Sequence, residues 1–234
     1  MTQRPNALPA LAALTTPLLT WNEGAPHATA FDDIYFTRGD GRAETEHVFL
    51  GANHLPERFA AWEAARPFVI GETGFGTGLN MLCAWACFEQ HAPFEQHAAP
   101  NARLHLLSTE KFPLEHEALE QALSAWPSLA AYAQVLCAQW PAAVSGIHRL
   151  HLTERVTLDL HFGDTTERLE QLDGQVDAWF LDGFAPSKNP DMWQPALFNA
   201  MAARSRPGAT FATFTCAGIV KRGLKAAGFS WKKV

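Results

Sequence analysis

The chain has 234 residues, 47% of them hydrophobic, enough to bury a full core in one domain or in one domain with an elaboration. Four cysteines in a chain this long exclude a disulfide framework and point to a reduced, cytoplasmic protein, and no run approaches the roughly 20 apolar residues of a membrane span. The net charge of −6 argues against nucleic acid only on average: the last 43 residues carry seven basic and no acidic side chains, while the first 191 carry 11 basic against 24 acidic, or −13.

In chain order, ALPALAALTTPLL is interrupted by Pro9 and Pro17, follows only Arg4 and lacks a cleavage pattern, so it reads as an irregular or strand-like lead-in. FDDIYFT and ETEHVFLGAN flank the polar turn RGDGR and predict a β-hairpin. Residues 1–66 are therefore expected to form a β-rich accessory element of the same domain, joined without a linker to a core of residues 67–234. After Pro67 a strand-then-helix rhythm begins. Strands are predicted at Phe68–Glu72, Leu104–Glu110, Val156–Phe162, Ala178–Leu181 and Thr210–Thr215, and helices at Leu79–His91, Leu114–Ala125, Trp193–Arg204 and Ile219–Ala227. Such alternation predicts an α/β fold, a Rossmann-like and mostly parallel sheet with helices on both faces, with a ligand at the carboxyl ends of the strands.

The turn between the first core strand and helix, VIGETGFGTGLN, is the most specific signal. Glycines at 74, 76 and 78 permit positive φ and remove each Cβ that would hold a ligand off the backbone, and the helix behind them aims free N–H groups at the turn. A dinucleotide fingerprint would need glycine at 79 or 81, where Leu79 and Met81 stand, and no Gly-Lys-Ser/Thr follows to make a phosphate loop. The remaining pattern, Glu72-x-Gly74-x-Gly76-x-Gly78, resembles motif I of class I S-adenosylmethionine-dependent methyltransferases, which implies that Glu72, the three glycines and Asn80 bind that cofactor.

Two further acids end successive strands. Glu110 can accept hydrogen bonds from ribose hydroxyls, although its distance from the glycines exceeds the usual roughly 20 residues because of the Glu89–Asn101 loop. Asp164 can accept from an adenine amino group; a helix-capping carboxylate is the plainer reading of the same residue. Cys83, Cys87 and His91 share a helix face but spread over more than two turns, too far for one tetrahedral zinc, and the ten histidines form no ligand pattern, so no metal is expected.

After the fourth core strand comes DGFAPSKNPDMW. Asp182 is the candidate catalytic group, either only orienting an acceptor amine through its N–H groups or also accepting the departing proton, with Phe184 and Pro186 shaping an apolar slot and Tyr35 closing over it. Together, FDDIYF, VFLGANHLPERF, GFGTGLN, EKFPL, DAWFLDGFAPSKNPDMW and ATFT with AGIVKRGL resemble the methyltransferase domain of the bacterial bifunctional tRNA 5-methylaminomethyl-2-thiouridine biosynthesis family, from about Phe31 to Phe229. The resemblance implies N-methylation of the aminomethyl group on the wobble uridine of tRNA, with FAD confined to a carboxyl-terminal oxidase domain that this chain lacks. It also implies that the chain stops at Val234 short of the last antiparallel strand of the sheet. Phosphate contacts are expected from the basic carboxyl-terminal stretch, with Lys221 and Arg222 foremost and Arg204, Arg206 and Lys225 as further candidates. Two other classes share these features: a polyamine aminopropyltransferase using decarboxylated S-adenosylmethionine, and a nucleoside-binding module without chemistry.

Overall fold

The computed structural model describes residues 12–37, 39–92 and 102–232. The start of the lead-in, most of the Glu89–Asn101 loop and Lys233 lie outside the described residues. Strands β1 (Leu19–Asn22) and β2 (Ala25–Ala28) form a hairpin, and β3 (Asp33–Ile34) pairs antiparallel with β2. The β1–β2 turn is Glu23-Gly24, with φ of 50° and 84°; two successive left-handed residues are what a two-residue turn needs to follow strand twist.

The predicted hairpin of FDDIYFT and ETEHVFLGAN does not form. Only Asp33 and Ile34 of the first segment pair, and the second is helical: α1 (Gly41–Thr45) runs into a π-helical turn (Glu46–Gly51), followed by α2 (Leu55–Ala60). The reason is a buried stripe of Gly41, Thr45, Phe49 and Asn53 at four-residue spacing; a strand would put the exposed Ala43, His47 and Gly51 on that same face, whereas a helix turns them away. Proline in the first turn of α2, where the missing N–H has no helical partner anyway, marks its start.

The remainder keeps the predicted strand-then-helix rhythm and adds three elements that were not predicted, α5, β6 and α6: β4 (Phe68–Glu72), α3 (Leu79–His91), β5 (Leu104–Glu110), α4 (His116–Leu123), α5 (Ala130–Ala138), β6 (Gly146–His151), β7 (Val156–Phe162), α6 (Thr165–Glu170), β8 (Val176–Phe180), α7 (Pro195–Ala203), β9 (Ser205–Ala212) and α8 (Gly218–Ala226). The sheet order is β6-β7-β5-β4-β8-β9, all neighbours parallel except β6 with β7. One face packs α2, α3, α4 and α5 around Ile70, Leu106 and Leu158, and residues of the amino-terminal segment, Phe36, Phe49 and Phe59, are buried in this same cluster. The other face packs α6, α7 and α8 around Leu107, Trp179 and Leu181. Strand β9 starts five residues earlier than expected, because Ser205-Arg206-Pro207-Gly208 reads as a turn; as an edge strand it tolerates proline, and its pairing shifts register between Val176 and Ala178. Leaving β4, the chain builds β5 and β7 on one side and returns to β8 on the other. The crevice at the carboxyl ends of β4 and β8 is thus the switch point where α/β sheets bind ligands.

Candidate active site

The turn after β4 closes as Thr73-Gly74-Phe75-Gly76-Thr77-Gly78 before α3. Gly76 and Gly78 have φ of 54° and 78°, the left-handed region that β-carbons disfavour. Gly74 is needed for another reason than the expected positive φ: a Cβ there would lie 3.3 Å from the carbonyl oxygen of Asp182, so the absent side chain lets the two loops of the switch point meet. A Cβ on Gly76 would meet the Tyr35 ring at 3.2 Å, and one on Gly78 the Phe75 ring at 2.5 Å.

These loops wall a cavity of about 590 Å³. Of the predicted residues, Gly74, Gly76, Asn80, Glu110, Asp164, Asp182, Phe184, Pro186 and Tyr35 line it. Glu72, Gly78, Lys221 and Arg222 do not. Glu72 is wholly buried behind the wall, accepting from Asn80 Nδ2 at 3.0 Å and from Ser108 Oγ at 2.6 Å. The glycine-turn acid therefore shapes the site through Asn80 rather than by touching a ligand. Gly78 acts through φ and its contact with Phe75. Lys221 and Arg222 lie on α8, which follows the carboxyl end of β9, and the Lys221 ammonium rests 4.9 Å from the centre of the Trp231 ring. Arg204 and Arg206 are corrected more strongly. Arg204 donates to the carbonyls of Leu169 and Glu170, and Arg206 lies 3.7 Å from Asp177 near the amino end of β8, at the opposite end of the strands from the cavity.

Glu110 accepts from the backbone N–H of Gly76 (2.9 Å) and Phe112 (2.8 Å), one on each oxygen. A carboxylate has about four acceptor positions, so capacity remains for a diol facing the cavity. Burial pushes its carboxyl up, against these two amides and that of Lys111, which pull it down. Asp164 caps α6 through Thr166 N (3.1 Å), the plainer reading of that residue, and its other oxygen pairs with Lys111 at 3.1 Å, yet it lines the cavity as well. Cradle and carboxylates suit S-adenosylmethionine: the glycines leave room for a close approach, and Glu110, lining the cavity, keeps acceptor capacity of the kind a ribose diol requires.

Asp182 follows β8. Its Oδ1 accepts from Gly183 N at 2.8 Å and its Oδ2 from Asn80 Nδ2 at 2.7 Å. Thr73 Oγ1 both donates to the Asp182 carbonyl (2.7 Å) and accepts from its N–H (3.1 Å), pinning the backbone. Burial pushes the carboxyl up to about 6, although the bonds from Gly183 and Asn80 oppose the rise. Beside it, Phe184 stacks on Phe31 (4.7 Å between centroids) and meets Tyr35 edge-on (5.2 Å). Asp33 holds this loop by accepting from Ala185 N at 3.0 Å, and Lys188 donates to the Asp32 carbonyl. Sequence reasoning missed Thr45, Thr73, Phe31 and Asp33; FDDIYF carries two of them, but nothing local says that this stretch straps the DGFAPSK loop.

Glu72 yields a stability prediction. Its carboxyl is raised well above 4.5, by burial first and by the charges of Asp182 and Glu110 besides, so the folded state holds a proton that the unfolded chain releases. Stability must then fall as pH rises above the unfolded value. Glu72→Gln keeps both contacts, its carbonyl accepting from Asn80 and its amide donating to a rotated Ser108 hydroxyl. Its melting temperature should exceed the parent's at pH 8 and converge with it below about pH 4; a parent-like melting temperature at pH 8 refutes the buried-charge account.

A model of the S-adenosyl-L-methionine-dependent methyltransferase family matches residues 127–234. The tRNA 5-methylaminomethyl-2-thiouridine biosynthesis bifunctional protein MnmC of Chromohalobacter salexigens is 67% identical over 97% of this chain and 32% of its own length. The protein of the same name from Chromobacterium violaceum is 56% identical over 92% of this chain and 32% of its own. The chain thus spans about a third of the length of the curated relatives it matches. Among solved structures, MNMC2 from Aquifex aeolicus superposes with a TM-score of 0.66 over 92% of this chain and 65% of that one, at 19% identity, a likeness of fold. With this degree of identity across nearly its whole length, and with a glycine cradle and carboxylates suited to the cofactor, the chain belongs to the S-adenosylmethionine-dependent methyltransferase family represented in these bifunctional proteins.

Proposed function

We propose that the chain transfers a methyl group from S-adenosylmethionine to the aminomethyl nitrogen on the wobble uridine of tRNA, turning 5-aminomethyl-2-thiouridine into 5-methylaminomethyl-2-thiouridine. The observation that carries this reading is Asp182, a carboxylate with raised proton affinity beside the stacked Phe31–Phe184 pair, in the same cavity as the glycine turn. When bound, S-adenosylmethionine supplies an already activated methyl group, so the chain's residues have to handle only the acceptor. An alkylamine holds its proton to about pH 10, and a carboxylate of ordinary pKa is a poor base towards it. Raising Asp182 to about 6 narrows that gap while leaving the group mostly ionised at pH 7. Asp182 then accepts an N–H of the neutral amine and fixes the lone pair's direction; as the N–C bond forms the C–S bond breaks, leaving a neutral thioether, and Asp182 takes the proton shed by the new secondary ammonium. Phe184 and Phe31 present ring faces on which a uracil stacks. The tRNA substrate would set the work in the cytoplasm, and a flavin-dependent oxidase, fused or separate, would supply the amine.

Labelled methyl transfer into tRNA from cells lacking this modification step tests the reading: label is expected in the wobble nucleoside, and tRNA that stays unlabelled refutes it. Phosphate contacts are assigned to Lys221, Arg222 and Lys225 of α8, since Arg204 and Arg206 are engaged elsewhere. Replacing the three by alanine should weaken tRNA binding and flatten its log–log salt dependence by up to about three times 0.7–0.9, with cofactor affinity unchanged. A parent-like salt slope in filter binding means that α8 does not face the RNA.

A further inference from the structure

Asn80 was expected to bind cofactor, but its amide is committed elsewhere. Nδ2 donates both hydrogens to carboxylates, one to Glu72 at 3.0 Å and one to Asp182 at 2.7 Å, and Oδ1 accepts from the Thr45 hydroxyl at 2.8 Å. Thr45 is 2% exposed and closes α1; Asn80 is 8% exposed in the first turn of α3. The amide has one tolerable orientation. Turned over, it would set its oxygen against the Asp182 carboxylate and its NH₂ against a hydroxyl, losing the charge-assisted bond to Asp182 and the bond to Glu72 inside the wall. The only donor to Oδ1 among the described residues is Thr45, from the amino-terminal segment rather than the parallel core.

We infer that Thr45 is a positioning residue for the reaction: by donating to Asn80 Oδ1 it locks the amide that holds Asp182 Oδ2, leaving the free edges of the carboxylate directed at the acceptor. Asn80 is accordingly a positioning residue too, serving Asp182 rather than the cofactor. This rests on the proposed role of Asp182. It also explains why α1 and the π-helical turn pack against the start of α3: the helical segment carries a hydroxyl into the site. The other titratable groups facing the cavity are Asp33 and Tyr35 from the strap, Glu44 on α1, Glu110 and Lys111 after β5, Asp164 after β7, and Asp191, with Glu72 behind Asn80. None of these donates to Asp182, so its proton affinity responds to the Asn80 bond and to Gly183 N.

The test follows the Asp182 carboxyl directly, by ¹³C NMR titration of protein labelled at the aspartate carboxyls, the signal being identified by its loss in Asp182→Ala. Thr45→Val, which keeps shape and removes the donor, should raise the midpoint by about one pH unit, since the amide that donates to the charged carboxylate is no longer locked and part of that bond is lost. Thr45→Ser should titrate as the parent does. Asn80→Ala, which removes the donor to Asp182 itself, should raise the midpoint further, and it provides the reading if Thr45→Val does not fold. An unmoved midpoint in folded Thr45→Val, or in Asn80→Ala, overturns the inference. Turnover separates it from the reading on which it rests. Thr45→Val should lower kcat about tenfold with cofactor affinity unchanged and move the acid limb of the pH profile upward, and Thr45→Ser should restore both. If the midpoint moves but Asp182→Ala turns over normally, the link from Thr45 to Asp182 stands and the catalytic role of Asp182 falls.

Discussion

Asp182→Ala is expected to lower methyl transfer by a factor of about 10²–10⁴ while changing S-adenosylmethionine affinity by less than about tenfold, the pattern of a lost acid–base group. The two effects separate because the Asp182 carboxylate bonds to Asn80 and Gly183, while the tie to the glycine turn through Thr73 is made by the Asp182 backbone and survives truncation. Truncation leaves two donors unmatched beside an open cavity, where water can satisfy them, so the fold should persist. Asparagine is no gentler. Two amides donate to Asp182, one on each oxygen, so an NH₂ at either position would face a donor. In the parent, turnover should rise with pH through about 6 as the carboxylate form accumulates, and it should fall below that value although an ordinary aspartate stays ionised to about 4. Steady-state rates across this range, with cofactor binding measured in parallel, check both statements. An unchanged rate in the alanine variant would leave Asp182 a turn residue.

Much of the core was legible because each strand there is buried on both faces. β4, β5, β7 and α3 fall on the predicted residues, since runs such as FVIGE and LHLLSTE leave little choice of register or length. The amino-terminal segment was misread where polar and apolar residues are mixed. In ETEHVFLGAN a short alternation suggests a strand, whereas the burial that matters comes at Thr45, Phe49 and Asn53, four apart. Its real hairpin turns on Glu23-Gly24, a signal outweighed by the louder RGDGR. β6 escaped notice because GIHRLH is an edge strand with alternate residues exposed and little apolar content.

At the site, the glycine spacing and the acids at strand ends pointed to residues that share one place in the fold: nine of the predicted positions meet in one cavity. What the sequence hid was which polar group serves which. Glu72 and Asn80 look like ligands in the motif, but one is sealed in and the other spans two acids, a distinction set largely by contacts 35 to 102 residues apart. Thr45 could not have been found at all, because its hydroxyl matters only once α1 lies against α3. Likewise, the described basic residues after Asp191 form no single patch: Arg204 and Arg206 tie down the amino ends of the last strands, whereas Lys221, Arg222 and Lys225 sit on α8, which follows the carboxyl end of β9.

Gly76→Val should reduce S-adenosylmethionine affinity by about a hundredfold or more while leaving the protein folded. Three separate observations converge on this residue. Its φ of 54° is a region where a β-branched side chain is strained by about 1–3 kcal/mol, so the turn must either bear that strain or open. The first β-carbon would lie 3.2 Å from Tyr35 Cδ1, and the two methyl groups beyond it would extend into the wall, so the strap carrying Tyr35 has to move away from the cavity. Gly76 N also holds Glu110 Oε2 at 2.9 Å, so a shifted turn releases the carboxylate that faces the ribose position. At about 1.4 kcal/mol per tenfold change in affinity, strain and a misplaced acceptor together suffice for the expected loss. The core strands do not depend on this residue, and circular dichroism and the melting profile should remain close to the parent's. Titration calorimetry decides: a folded Gly76→Val protein that binds S-adenosylmethionine as tightly as the parent would mean that the cofactor does not approach the glycine turn, and the assignment of the cavity would have to be abandoned.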